Sequence, residues 1–97
     1  MAYKIKTTFG AESDIEKAII YYKDIKIQLA KDFLNELKAT RKYIQKHPKK
    51  IQIRYAEIRV AFLKRFPFGI HYKLEDKTVI IVSVFHTSQN DMKWRRD

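Results

Sequence analysis

The sequence contains no cysteine and few of the residues that break regular structure. Its 97 residues include two glycines, two prolines and one tryptophan. Without cysteine the chain cannot form disulfides, use a thiol nucleophile or bind a metal through thiolates. Because glycine and proline are scarce, linkers are scarce too, and the length fits a single compact domain over residues 1–97. The lack of cysteine fits a reducing compartment, and we expect a cytoplasmic protein.

Long apolar runs and metal-binding patterns are also absent from the sequence. No stretch approaches the roughly 18 apolar residues that a membrane-spanning helix requires, so we expect no membrane association. Residues 1–6 indicate a strand, without the apolar core of a signal peptide. The histidines His47, His71 and His86 share no spacing typical of zinc ligands. We therefore predict neither a metal nor another cofactor.

Acidic residues are few, and the basic residues are concentrated in one segment. The chain has 21 lysines and arginines against 11 acids, a formal net charge of +10. Residues 38–65 hold ten of the basic residues and a single acid, Glu57. Such a concentration predicts a positive field that attracts nucleic acid, a nucleoprotein complex or an acidic protein. The alternative is a solvated, lysine-rich surface without a specific partner.

The N-terminal half of the sequence indicates one strand followed by two helices. Residues 3–9 alternate as in a strand. Ser13 and Glu16 form an S-x-x-E capping box, which predicts a helix over residues 13–26. A second helix is predicted over residues 28–46 and ends before a His-Pro pair, because the residue before proline avoids the helical conformation. Two amphipathic helices with so short a joint indicate an antiparallel hairpin.

The C-terminal half alternates with a period of two, which is typical of strands. Strands are predicted over residues 53–57, 58–63, 70–75 and 79–85, the last apolar on both faces as in a strand inside a sheet. Asn90 would cap a short C-terminal helix. The order β-α-α-β-β-β-(β)-α predicts an α+β fold, in which an N-terminal helical hairpin packs on a small, mostly antiparallel sheet.

The most distinctive stretch is a turn of aromatic residues, proline and glycine between two predicted strands, Arg65-Phe66-Pro67-Phe68-Gly69-Ile70-x-Tyr72. Two further pairs follow towards the C-terminus, Val84-x-His86 and Trp94-x-Arg96. Together they resemble the ParE branch of the RelE/ParE superfamily, the toxins of type II toxin–antitoxin systems of the plasmid-stabilisation type. The resemblance covers nearly the whole chain and implies the same α+β fold.

The resemblance implies one of two activities, because ParE-like toxins poison DNA gyrase whereas RelE-like toxins cleave messenger RNA on the ribosome. Cleavage needs a base, an acid and cations that stabilise the phosphorane. RelE-like proteins place two lysines before the turn, an arginine after it and another past the last strand. Here the corresponding residues are Val60, Phe62, Gly69 and Ser88. We therefore expect a non-catalytic gyrase inhibitor that a cognate acidic antitoxin neutralises.

Under this hypothesis no residue is catalytic, and the candidates are residues that would bind the target or the antitoxin. They flank the turn or lie near the C-terminus: Arg59, Lys64, Arg65, His86, Trp94 and Arg95. Each also has a structural interpretation, such as a solvated edge for the cations, a strand end for His86 and helix packing for Trp94. The alternative hypothesis is a ribosome-dependent mRNA endonuclease that uses His86 with Arg59 and Arg65. A general nucleic-acid-binding module is a third possibility.

Overall fold

The computed structural model describes residues 3–87, which form two helices, a turn of 3-10 helix and five strands. The strands are β1 (Lys4–Thr7), β2 (Ile53–Tyr55), β3 (Ile58–Phe62), β4 (Phe68–Glu75) and β5 (Thr78–His86). The helices α1 (Phe9–Ile25) and α2 (Ile27–Lys46) follow β1, and the 3-10 turn (Pro48–Lys50) leads from α2 towards β2. The predicted α+β class and the helical hairpin are confirmed. The predicted C-terminal helix lies outside the described residues.

The strands form one sheet in the order β1-β5-β4-β3-β2. Strands β2 to β5 pair in antiparallel fashion, while β1 runs parallel to β5. The last strand therefore lies inside the sheet, as its apolar sequence predicts. No helix among the described residues is long and apolar enough to cross a membrane.

The core lies between the helical hairpin and one face of the sheet, and four aromatic rings occupy its centre. Tyr22 of α1 and Phe33 of α2 meet Phe66, which precedes β4, and Phe68, which begins it, with ring centroids 5.1–6.2 Å apart. All four side chains are buried. Most of these contacts are edge-to-face, a geometry worth about 0.5–1.5 kcal/mol per pair beyond the buried area. The distinctive aromatic turn thus anchors the core.

A buried tyrosine joins the sheet to the end of the helical hairpin. The hydroxyl of Tyr72 in β4 donates a hydrogen bond to the Pro48 carbonyl at 2.6 Å. Burial raises the pKa of Tyr72 to about 12, an effect that the nearby Arg59 opposes. Tyr72 therefore stays protonated and holds the 3-10 turn against the sheet.

The N-cap of helix α1 lies five residues before Ser13, the N-cap that the capping box predicts. Its N-cap is Thr8, whose Oγ1 accepts a hydrogen bond from the Ala11 N–H at 3.1 Å and donates one to the Val82 carbonyl at 3.2 Å. The predicted helix start at Ser13 is therefore wrong. Phe9, predicted as the last residue of the first strand, is instead the first residue of the helix and 88 % exposed. Because Thr8 also forms a hydrogen bond to β5, it is the N-cap in preference to Ser13.

The remaining boundaries differ from the predictions by at most two residues. Strand β2 ends at Tyr55, because Ala56 has a positive φ of 46° and turns the chain into β3. Strand β4 begins at Phe68, two residues before its predicted start. Phe62 of β3 pairs with Gly69 of β4, so β3 and β4 stay paired up to the turn and β4 is longer than predicted.

Candidate functional site

A carboxylate of α2 holds the aromatic turn in place. Glu36 accepts hydrogen bonds from the backbone N–H groups of Lys64 and Arg65, the second at 3.0 Å. The Arg65 guanidinium lies 3.6 Å from Asp32, also on α2, and 5.8 Å from the centre of the Phe66 ring. The turn is thus fixed through its backbone, while both basic side chains remain exposed at the surface.

Arg59 is half-buried and has a different environment from the cations of the turn. Its Nη1 donates hydrogen bonds to the Ile51 carbonyl at 2.5 Å and to the Lys49 carbonyl at 3.4 Å. Arg59 lies opposite Tyr72 in the sheet. These contacts give it a structural role in holding the segment before β2, and its role in target binding stays a prediction.

His86 ends β5 beside the aromatic turn. It pairs with Phe68, the two rings lie 5.2 Å apart, and the following Thr87 N–H donates to the Pro67 carbonyl at 2.7 Å. Arg59 lies opposite Tyr72, four residues farther along β4, which corresponds to about 13 Å of strand. His86 therefore lies with the turn at one end of the sheet, apart from Arg59. The other two candidates, Trp94 and Arg95, lie outside the described residues.

The sheet face that points away from the helices, here called the outer face, is apolar near the turn. Val60 lies opposite His71, and Phe62 lies opposite Gly69. A β-carbon on Gly69 would lie 2.8 Å from Cγ1 of Val60 and 3.4 Å from ring atoms of Phe62. Their strand neighbours, such as Ala61, belong to the core instead. Val60, Phe62 and Gly69, which the resemblance matches to cations of RelE-like proteins, are thus adjacent and apolar here.

His71 lies on the same outer face and is buried. Its Nδ1 is 3.0 Å from the Tyr55 hydroxyl, and its ring lies 5.2 Å from that of Phe85. Burial lowers the pKa of His71 to about 4. At neutral pH the imidazole is therefore uncharged and contributes no cation to this face.

A groove of about 860 Å³ runs between α2 and β3, next to the aromatic turn. Ala39 and Tyr43 of α2, Ile51, and Ala61 and Phe62 of β3 form its apolar lining. Tyr43 and Phe62 are 47 % and 46 % exposed, so the groove opens to solvent. Sequence analysis missed this groove, because it depends on the spacing of two elements that are distant in the chain.

Positive and negative side chains are distributed unequally at the groove. Lys64 and Arg65 belong to its lining and stand at one end. Further exposed cations lie elsewhere on and after α2: Lys38, Arg41, Lys42, Lys46, Lys49 and Lys50. The two acids of the lining, Asp32 and Glu36, already bind Arg65 and the turn backbone. The groove thus combines a largely apolar lining with two exposed cations at one end. Within residues 3–87 no three histidine, aspartate or glutamate side chains could together hold a metal ion.

Comparisons with known proteins agree with this fold. A chain of the chromosomal ParDE toxin–antitoxin system from P. aeruginosa superposes with a TM-score of 0.77 at 17 % identity, over 87 % of this chain and 95 % of that one. A chain of the RelBE2 toxin–antitoxin complex from Mycobacterium tuberculosis gives a TM-score of 0.59 at 17 % identity, over 89 % and 99 %. No curated protein sequence matches significantly.

The family assignment rests on the sequence itself. The family described as "ParE toxin of type II toxin-antitoxin system, parDE" matches residues 5–91, from the first strand to beyond the last. That match includes the aromatic turn, the groove and His86. The chain therefore belongs to the ParE toxin family of type II toxin–antitoxin systems.

Proposed function

We propose that this protein inhibits growth in the cytoplasm by binding and poisoning DNA gyrase, that it does not cleave RNA, and that a cognate acidic antitoxin neutralises it. The observation that carries the proposal is the apolar outer face. RelE-type cleavage would need cations at three of its positions, where this chain has Val60, Phe62 and Gly69.

The packing of the outer face supports a function without phosphoryl chemistry. Cations lower the barrier to cleavage because they stabilise the charge of the phosphorane. An arginine in place of Gly69 would collide with Val60 at its first side-chain atom. His71, on the same face, is neutral at pH 7 since burial lowers its pKa to about 4. The arrangement therefore lacks the charges for cleaving RNA, which favours a toxin that acts by binding its target.

An acidic antitoxin is the partner that the surface charge favours. The chain carries a net charge of +10, and the exposed Lys64 and Arg65 stand at one end of the groove between α2 and β3. Complementary charge speeds association and disfavours wrong partners. The two solved structures compared above are named for toxin–antitoxin systems. We expect the antitoxin gene to lie beside the gene for this protein.

The test is a supercoiling and DNA-cleavage assay with purified gyrase. We expect the protein to cause accumulation of cleaved DNA and the antitoxin to reverse this effect. The double variant Lys64→Ala/Arg65→Ala should lose most of the poisoning. Lys4→Ala/Lys6→Ala removes the same charge from exposed residues of β1, at the far edge of the sheet, and should retain it. A folded, toxic protein without effect on gyrase would refute the proposal.

The alternative activity, cleavage of messenger RNA on the ribosome, makes the opposite prediction for His86. It is the histidine at the end of the last strand, beside the turn. If the protein is an endonuclease, His86→Ala should abolish toxicity while the fold is retained. Under the gyrase proposal the variant should remain toxic, and translating ribosomes should show no cleaved message. Circular dichroism controls for folding in both cases.

A further inference from the structure

The side of α2 that lies opposite the core, here called the lysine face, carries four lysines and no acid. Residues three or four positions apart lie on the same side of a helix. In such steps the exposed residues of this face are Gln28, Lys31, Asn35, Lys38, Lys42 and Lys46. The buried residues of α2, such as Phe33 and Ile44, lie on the other side. At 1.5 Å per residue, the four lysines extend over about 22 Å.

No acidic side chain of the described part of the chain neutralises the lysine face. The acids of α2 are Asp32 and Glu36, which lie on the side of the groove and bind Arg65 and the turn backbone. None of the four lysines forms an ion pair within residues 3–87. Their positive charge is therefore available to an external ligand.

The spacing of the lysines does not stabilise the helix. Lys38, Lys42 and Lys46 follow one another at intervals of four residues, where like charges repel each other and weaken a helix. No acid lies three or four residues from any of them to relieve this repulsion. Only Lys46, in the last turn, interacts favourably with the helix dipole. A face that only kept the helix soluble would mix acids and bases, so the row of lysines favours a role in binding.

The composition of the lysine face fits a nucleic acid better than a protein. The centre of a protein–protein interface is rich in apolar and aromatic residues, whereas the only other residues of this face are Gln28 and Asn35. Protein–DNA interfaces are more polar and more positive, and most of their hydrogen bonds go to phosphate and sugar. Phosphates of one DNA strand follow every 3.4 Å along the duplex, so the face can lie along about six of them.

We propose that the lysine face binds the phosphate backbone of duplex DNA, independently of base sequence. Gyrase, the proposed target, holds duplex DNA, and the toxin thereby contacts this DNA as well as the enzyme. The contact with gyrase-bound DNA rests on the proposed function, whereas binding of the lysine face to free DNA does not. Because phosphate contacts release counterions, this binding weakens steeply as the salt concentration rises.

The test is fluorescence anisotropy with the full-length protein and a labelled DNA duplex of about 20 base pairs, between about 50 and 200 mM salt. Lys38→Gln/Lys42→Gln/Lys46→Gln should weaken binding at least about tenfold at the lowest salt concentration. It should also reduce the slope of log K against log salt by about 2.7, which is about 0.9 for each lost phosphate contact. Glutamine has a helix propensity close to that of lysine, so the fold should be retained.

The matched control removes the same charge from the other side of the molecule. Lys4→Gln/Lys6→Gln/Lys77→Gln changes three exposed lysines of β1 and of the turn between β4 and β5. Lys4 and Lys6 alternate along the chain with Tyr3 and Ile5, which pack against the core, so their side chains point away from the helices. This variant should retain most of the binding and of the salt dependence.

A single charge reversal separates DNA binding from folding. Lys42→Glu replaces two repulsive pairs, with Lys38 and Lys46, by two attractive ones, so it should raise the urea concentration at the midpoint of unfolding. The same variant should weaken binding to the duplex at least about tenfold, because an anion replaces a cation beside the phosphates. A more stable protein that binds DNA less well cannot owe the loss to unfolding.

The outcomes separate this inference from the proposed function. If the lysine-face variant and its control lose equal affinity, only net charge matters and the inference is wrong. It is also wrong if the protein does not bind the duplex, if it binds an RNA hairpin more tightly, or if the lysine-face variant loses the antitoxin and keeps DNA. Accumulation of cleaved DNA with gyrase in any of these cases leaves the proposed function standing. If gyrase is unaffected while only the lysine-face variant loses DNA, the proposed function is wrong and the DNA site stands.

Discussion

Gly69 is buried in β4, and two side chains of β3 already fill the space beside it. An added β-carbon would approach Cγ1 of Val60 to 2.8 Å and ring atoms of Phe62 to 3.4 Å. Its φ is not positive, so alanine fits the backbone and only the contact opposes it. Overpacking costs about 1–3 kcal/mol, and the reduced freedom of the unfolded chain offsets about 0.4–1 kcal/mol. We therefore expect Gly69→Ala to lower the free energy of unfolding by about 1–2 kcal/mol.

Urea denaturation followed by circular dichroism measures this effect and can identify its cause. Val60→Ala removes the nearest atom, so Gly69→Ala should cost less in that background, with a coupling energy of about 1 kcal/mol. Gly10 is the matched control, because the nearest atom to its added β-carbon is 4.0 Å away. Gly10→Ala in α1 should be neutral or stabilising by up to about 1 kcal/mol. If Gly69→Ala is as stable as the parent, or its cost persists without Val60, the packing argument is wrong.

Two further predictions concern His71 and Glu36. Burial lowers the pKa of His71 from 6.5 to about 4, so between these values the unfolded chain binds a proton that the folded chain does not. The free energy of unfolding should therefore fall by roughly 2 kcal/mol from pH 7 to pH 5, as urea titrations would measure. His71→Phe should remove most of this pH dependence, whereas His47→Gln at the surface should leave it unchanged. If the pH dependence persists in His71→Phe, the argument is wrong. Glu36→Ala should cost about 1 kcal/mol and speed exchange of the Lys64 amide, because two N–H groups lose a charged acceptor. The exposed Glu57→Ala is its control, and equal stability of the two variants would exclude the proposed role of Glu36.

Periodicity predicts the helices and strands of this fold because each long element has one face in the core. It fails at the start of α1, where Thr8 and Ser13 are both acceptable caps. Thr8 is the cap because its hydroxyl also reaches the Val82 carbonyl in β5, 74 residues away in the chain. Propensity and spacing along the chain carry no information about such a bond. The choice between two local signals is made by tertiary structure.

The sequence predicts the region of the candidate site better than it predicts the environment of each residue in it. Clustered charge correctly indicates that Lys64 and Arg65 are exposed, yet Arg59, of the same type and nearby, is half-buried against backbone carbonyls. Alternation in β3 identifies two faces but not which one meets the helices. The bulky Val60 and Phe62 lie on the outer face, while the core side receives smaller residues such as Ala61. Only the register with β4 resolves this ambiguity.

Each helix supplies a carboxylate that accepts a hydrogen bond from the sheet's backbone next to the end of a strand pairing. Asp14 of α1 accepts the Val84 N–H at 3.0 Å, beyond the last residue of β5 that pairs with β1. Glu36 of α2 does the same for the Lys64 N–H at the end of β3. Uncovered edges invite aggregation, and such caps, together with surface cations, suppress it. Both helices therefore stabilise the sheet in two ways, through the core and through side-chain hydrogen bonds to the backbone of β5 and of the segment after β3.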